Sequence, residues 1–192
     1  MDIDIKKLSP ELLDDFLFYF DNVAFDDHKD WSGCYCTEPH LSENIECELS
    51  KGTQSNCRNI AIDFIISGKM QGYLAYECGN VIGWCNVNDK LNYERIVARE
   101  ELATVDDNSK KIKSVMCFNV AKNKRRKGVA TQILERICED ALLDKYDIIE
   151  AYPYVGEPNE YYYFSGPAST YQKFGFSVFR ELKHTIIMRK YL

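Results

Sequence analysis

The sequence has no long apolar run: the longest, residues 16–20, is far too short to span a bilayer. The opening Met1-Asp2-Ile3-Asp4-Ile5 is acidic and alternating, so it lacks the basic and then continuously apolar character of a secretory leader. Repeats, low-complexity tracts and Pro/Ser-rich linkers are missing too, which points to one domain over residues 1–192. Nor is there an excess of positive charge. A net charge of -6 argues against a nucleic-acid partner held by the surface as a whole. Both common nucleotide fingerprints, G-x-x-x-x-G-K-[ST] and G-x-G-x-x-G, are absent. With no export signal, the eight cysteines are expected to stay as free thiols in the cytoplasm.

What is present is a mixed α/β pattern. Residues 3–8 alternate as an edge strand, and Ser9-Pro10 opens an amphipathic helix over residues 10–21, with Ser9 as its N-cap. A short helix is expected at 42–49 and a clearer one at 58–66. Residues 73–77 and 81–87 read as a hairpin turning at Cys78-Gly79-Asn80. Residues 88–112 are charged and weakly patterned. A central strand follows at 114–120, then a helix over 129–143 with Ile133, Leu134, Ile137, Cys138, Ala141 and Leu142 on its buried face. Further strands are expected at 148–152, 176–179 and 185–189, and a short helix opens at Gly166-Pro167.

The chemically informative stretch runs from Val120 to Ala130. Five basic residues (Lys122, Lys124, Arg125, Arg126, Lys127) lie between the end of a strand and a helix that starts near Gly128. A helix start gathers unpaired N–H groups and the positive end of the macrodipole, and a glycine lets an anion approach the backbone. Cys34, Cys36 and His40, with Cys47 or Cys57, are the residues that could supply zinc ligands. The C-x-C spacing is too tight for the usual paired cysteines, so no metal is expected. The segment instead reads as a loop walling a pocket, lined by Trp31, Tyr35 and Trp84. The tyrosines at 152, 154 and 161–163 suit either acceptor recognition or a packing or dimer contact.

Arg125-Arg126-Lys127-Gly128-Val129-Ala130 resembles the R/Q-x-x-G-x-G/A signature of the GNAT superfamily of acetyl-CoA-dependent N-acyltransferases. Tyr171-x-x-x-Gly175-Phe176 is similar to a second element of that superfamily, and the hairpin at 79–84 to its second and third strands. Gly83-Trp84-Cys85, Cys117-Phe118, Glu150-Ala151-Tyr152-Pro153 and Trp31-x-x-Cys34-x-Cys36 resemble a bacterial branch whose acceptor is undefined. The resemblance implies a mixed, mostly antiparallel sheet flanked by helices, with a splayed parallel strand pair forming the cofactor cleft. It implies transfer of an acetyl group from acetyl-CoA to an amine by direct attack on the thioester. A noncatalytic acyl-CoA-binding or regulatory module is the alternative. Phe118, Asn119 and Val120 would meet the pantetheine, and Arg125, Arg126, Lys127, Gly128, Val129, Ala130 and Thr131 the diphosphate. Tyr171 is the expected general acid and Glu150 a candidate base; Glu94, Asp30 and His28 also fall on segments expected to border the acceptor. The family's asparagine before the Tyr-x-x-x-Gly-Phe element is missing from residues 164–170, where Ser165 is the nearest substitute. No membrane partner is expected, and a homodimer is compatible with the pattern.

Overall fold

A computed structural model describes residues 2–41, 54–102, 109–157 and 164–192, with the side chains of residues 54 and 55 outside the description. Seven strands form one sheet: β1 (Asp4–Lys7), β2 (Gly72–Glu77), β3 (Asn80–Asp89), β4 (Ile112–Val120), β5 (Ile148–Ala151), β6 (Ser177–Glu181) and β7 (Ile186–Tyr191). Their order is β1-β2-β3-β4-β5-β7-β6. All neighbours are antiparallel except β4 and β5, which the crossover helix makes parallel. The described helices are α1 (Leu13–Asn22), α2 (Gln54–Ile66), α3 (Glu94–Ala98), α4 (Val129–Leu143) and α5 (Ala168–Lys173).

Strand alternation sorts the core onto two faces. Leu74, Tyr76 and Trp84 meet Phe16, Leu17, Tyr19 and Phe20 of α1 and Ala61 and Ile65 of α2. Tyr73, Ala75, Cys85, Val87, Ile149 and Ala151 meet Ile133, Leu134, Ile137 and Ala141 of α4 and Tyr171 of α5. Gly83 permits the second contact, because a Cβ there would lie 3.0 Å from Cγ1 of Val129. None of the described helices is long and apolar enough to cross a membrane.

Several expectations need correcting. Pro10–Leu12 is a 3-10 turn, and the α-helix starts only at Leu13; Ser9 makes no side-chain cap bond. The second helix begins at Gln54, four residues before Arg58. Leu142 is exposed, because the apolar stripe of α4 has rotated past it by the last turn. The weakly patterned stretch 88–112 contains α3, whose Ile96 joins Tyr93, Leu102, Tyr152 and Ile187 in a third apolar cluster. The helix expected at 42–49 lies outside the described residues.

Candidate active site

The site begins where β4 and β5 part. They pair in parallel from Ile112–Ile148 to Val115–Ala151 and no further, although β4 continues to Val120. Two local causes are visible. On β4, the register against β3 shifts from Val87–Val115 to Asn86–Cys117, leaving Met116 as the extra residue of a β-bulge that bends the strand. On β5, Pro153 has no N–H to offer. Its carbonyl accepts from Ile186 N at 3.1 Å, and Val155 N donates to His184 O at 2.9 Å. Beyond Ala151 the chain therefore follows β7 and leaves β4.

Below the parting, a buried polar network holds the strands together. Glu150 is fully enclosed; Oε1 accepts from Lys90 Nζ and from Tyr152 Oη, each at 2.6 Å, and Oε2 accepts from Arg189 Nε at 2.6 Å. Ser114 Oγ lies 3.0 Å from Tyr152 Oη. The network thus joins β4, β5 and β7 to the turn after β3. This corrects the reading of Glu150 as a base: both oxygens are engaged and no face of the carboxylate is open to a reactant. Glu150→Gln is expected to cost about 3 kcal/mol, since two buried cations lose their shared carboxylate. Thermal unfolding checks this, with a melting point lower by roughly 6–12 °C for a chain of this size.

Above the parting, β4 leads through a 3-10 turn at Lys122–Lys124 into α4. Arg126 has φ 60° and Gly128 φ 85°, two left-handed residues that fold the loop back over the helix start. Among the described residues, the backbone N–H groups from Arg126 to Thr131 have no hydrogen-bond acceptor within the chain; the first such bond of the helix is Gln132 N to Gly128 O at 3.0 Å. The space beside Gly128 is open, with Gln132 Nε2 at 4.0 Å the nearest atom to a Cβ built there. Arg126 and Lys127 are exposed and have no ion pair among the described residues. Unpaired donors, a helix dipole and two cations make this an electropositive cradle suited to an anion, with open space beside it.

Arg125 is not part of the cradle. Its guanidinium binds Asp27 through two bonds, at 2.6 and 3.0 Å, and Val120 O at 2.9 Å. That pair holds the Asp27 carboxyl below the usual carboxylate range and ties the loop after α1 to the basic turn. Asn119 likewise turns its side chain away, accepting from Tyr19 Oη at 2.7 Å. Its carbonyl accepts from the same hydroxyl at 3.2 Å, so Asn119 faces Tyr19 and β3 and not the cleft.

Tyr171 lies on the cradle side of the sheet. It is almost fully buried, and its hydroxyl donates to Ser165 O at 2.6 Å. Burial pushes the phenol well above its usual range, so it stays protonated. Gly166, at φ 73°, lies between it and β4: a Cβ there would be 3.6 Å from Phe118 Cδ2 and 3.6 Å from Tyr171 Oη. Tyr171 and Phe118 thus share the upper cleft.

The aromatic lining needs a larger correction. Trp84 is fully buried, edge-on to Phe16 at 5.0 Å, so it is core and offers nothing to an acceptor. Tyr35 is buried as well, with its hydroxyl bound to Asp21, which Arg58 also holds. Trp31 is partly exposed and stacks on His28 at 4.0 Å. Glu94 pairs with Lys69 at 2.7 Å, and Asp30 stays exposed.

His40 belongs to a separate polar cluster. Asn86 Nδ2 donates to Cys36 O at 2.9 Å and faces His40 Nε2 at 3.3 Å, while Tyr93 Oη donates to Asn86 Oδ1 at 2.8 Å. His40 Nδ1 faces Asn92 O at 3.3 Å, so the ring is neutral with its proton on Nδ1. Among the described residues no three metal-binding side chains converge. Burial pushes His40 down to about 4. Because the unfolded chain takes up this proton near pH 6.5, stability is full above that value and falls as pH drops towards 4. The loss attributable to His40 is roughly 3 kcal/mol; between pH 6.5 and 4 the unfolding free energy of the native chain should fall more steeply with falling pH than that of His40→Gln, by one proton.

The polar residue Asn86 within an apolar strand was the available signal for this cluster, since a buried amide must find partners. No comparable local signal marked Asp27, Lys90 or Arg189.

No family model matches the sequence, and no curated protein matches it. Solved structures do. The PaiA N-acetyltransferase of Thermoplasma acidophilum, in complex with coenzyme A, aligns with a TM-score of 0.57 and 16% identity over 100% of both chains. The polyamine N-acetyltransferase of Drosophila melanogaster aligns with a TM-score of 0.58 and 8% identity, again over 100% of both. An acetyltransferase of the GNAT family from Streptococcus pneumoniae gives 0.54 and 14%, covering 100% of this chain and 99% of that one. These likenesses are of fold: the chain has the fold of the GNAT acetyltransferases.

Proposed function

We propose that residues 1–192 form one acyltransferase domain that moves an acetyl group from acetyl-CoA to an amine. The observation that carries this reading is the continuity of the parted β4 with the unpaired N–H groups from Arg126 to Thr131. A diphosphate on those N–H groups directs a pantetheine arm back along Phe118 and Val120. There β4 has lost its neighbour, and the amides of the arm can take the place of β5. The thioester then reaches the parting near Met116 and Cys117. A fold-level match to a protein crystallised with coenzyme A supports the choice of donor.

The chemistry asks little of the side chains. Holding an amine against a thioester supplies most of the acceleration, and main-chain donors of β4 polarise the carbonyl as it becomes an oxyanion. Tyr171 is the proposed hydrogen-bond donor to the departing sulfur, released from Ser165 O as the thiolate forms. The acceptor approaches from the opposite face, past the loop carrying His28 and Trp31. A cytoplasmic location, where thiols stay reduced, belongs to the same proposal. The test is release of coenzyme A thiol with a panel of polyamines, amino acids and peptide amines. Release above the amine-free rate with at least one class is expected; none across the panel refutes transfer to amines.

A further inference from the structure

Cys36 and Cys117 meet on the face of the sheet that α1 and α2 cover, and no step of the proposed reaction uses them. Their Sγ atoms are 3.5 Å apart. Cys117 is on β4, directly after the bulge at Met116, and is partly exposed. Cys36 is buried on the loop after α1 and lies 81 positions away in sequence.

The juxtaposition is enforced. Asn86 is the β3 partner of Cys117, and its side-chain amide grips the Cys36 carbonyl at 2.9 Å. Tyr93 and His40 hold that amide in turn. Cys36 also has φ 53°, a left-handed conformation that a residue with a Cβ keeps only when its surroundings impose it. The strand partner of one cysteine therefore delivers the other onto it.

We infer that Cys36 and Cys117 are a reversible thiol–disulfide pair, a modification site on the acceptor side of the cleft. A bond of about 2.05 Å requires the sulfurs, now 3.5 Å apart, to close by roughly 1.5 Å. A peroxide is the oxidant. Its oxygen goes to the accessible Cys117 thiol, giving a sulfenic acid and one water. The Cys36 sulfur then attacks the sulfenyl sulfur, the S–S bond forms, and the hydroxyl leaves with the Cys36 proton as a second water. A dithiol returns both electrons and both protons.

The existence of the bond does not rest on the acyltransferase reading; its effect on turnover does. The native chain is treated with hydrogen peroxide, then digested without reduction and mapped by mass spectrometry. The expected result is a linked pair of peptides containing Cys36 and Cys117, a loss of two hydrogens from the intact mass, and reversal by dithiothreitol. Cys36→Ser and Cys117→Ser each lose the link, and Cys34→Ser keeps it. The cross-link should raise the melting point by roughly 5–15 °C, as closure of a long loop does when native geometry is kept. No link, a link between other cysteines, or a lower melting point overturns the proposal. With an accepted amine in hand, transfer falls on oxidation and recovers with dithiothreitol; unchanged transfer overturns the role as a switch and leaves the mapped bond to stand or fall by the digest.

Discussion

Replacing Gly128 by glutamate abolishes the thermal stabilisation that acetyl-CoA gives the native protein. A ligand at a hundred times its Kd stabilises the folded state by about 2.7 kcal/mol, which is roughly 5–10 °C for a chain of this size. Gly128→Glu removes that gain in two ways. It forces a side chain into a backbone with φ 85°, at a cost of about 1–2 kcal/mol. It also places a carboxylate where the N–H groups from Arg126 to Thr131 converge, so the donors meet a resident anion and an arriving diphosphate meets a like charge. Gly128→Ala separates these effects. The space beside Gly128 is open, so the alanine variant has the backbone strain without the charge and keeps most of the ligand shift. Scanning calorimetry of the three proteins with and without acetyl-CoA decides it. Equal shifts in the native and glutamate proteins would remove the helix start from the binding site.

Tyr171→Phe lowers acetyl transfer by about a hundredfold, the lower end of what a positioned proton donor contributes. Coenzyme A affinity stays within about twofold, because the phenol meets sulfur only as the carbon–sulfur bond breaks. The variant keeps the ring that packs on Phe176 at 5.4 Å and loses only the bond to Ser165 O. Stability should fall by about 1 kcal/mol, the net worth of one buried hydrogen bond, so assays belong well below the melting point. Turnover and affinity measured side by side give the answer. A variant that transfers at the native rate places Tyr171 among the packing residues of α5.

Some of this was legible in the sequence because it is local. The cradle lies within one run from Val120 to Thr131, where a strand, a glycine and a helix are adjacent in the chain. The parallel crossover followed from the order of strand, helix and strand around it. Glu150 was legible as a residue on a cleft-bordering strand, but its partners were not: Lys90 is 60 positions away and Arg189 is 39. Nothing local says that a carboxylate will be enclosed by two cations. Arg125 shows the same limit, since Asp27 is 98 positions distant. Trp84 was misread for a different reason. Alternation tells which residues share a face, yet only the seating of Phe16 and Phe20 against β3 makes that position core. The helix α3 spans five residues, fewer than two turns, too few to establish a period.

These observations share one physical origin. The network around Glu150 holds β4 and β5 together up to Val115 and Ala151, and the bulge and Pro153 separate them immediately above. Buried, fully paired polar groups lie below the parting and unpaired backbone donors above it. Titration calorimetry of acetyl-CoA into the native chain tests this arrangement most directly. One equivalent should bind with a Kd below about 100 µM, corresponding to more than roughly 5 kcal/mol of binding free energy. Absence of binding heat at several temperatures, with acetyl-CoA raised to millimolar concentration, would contradict it.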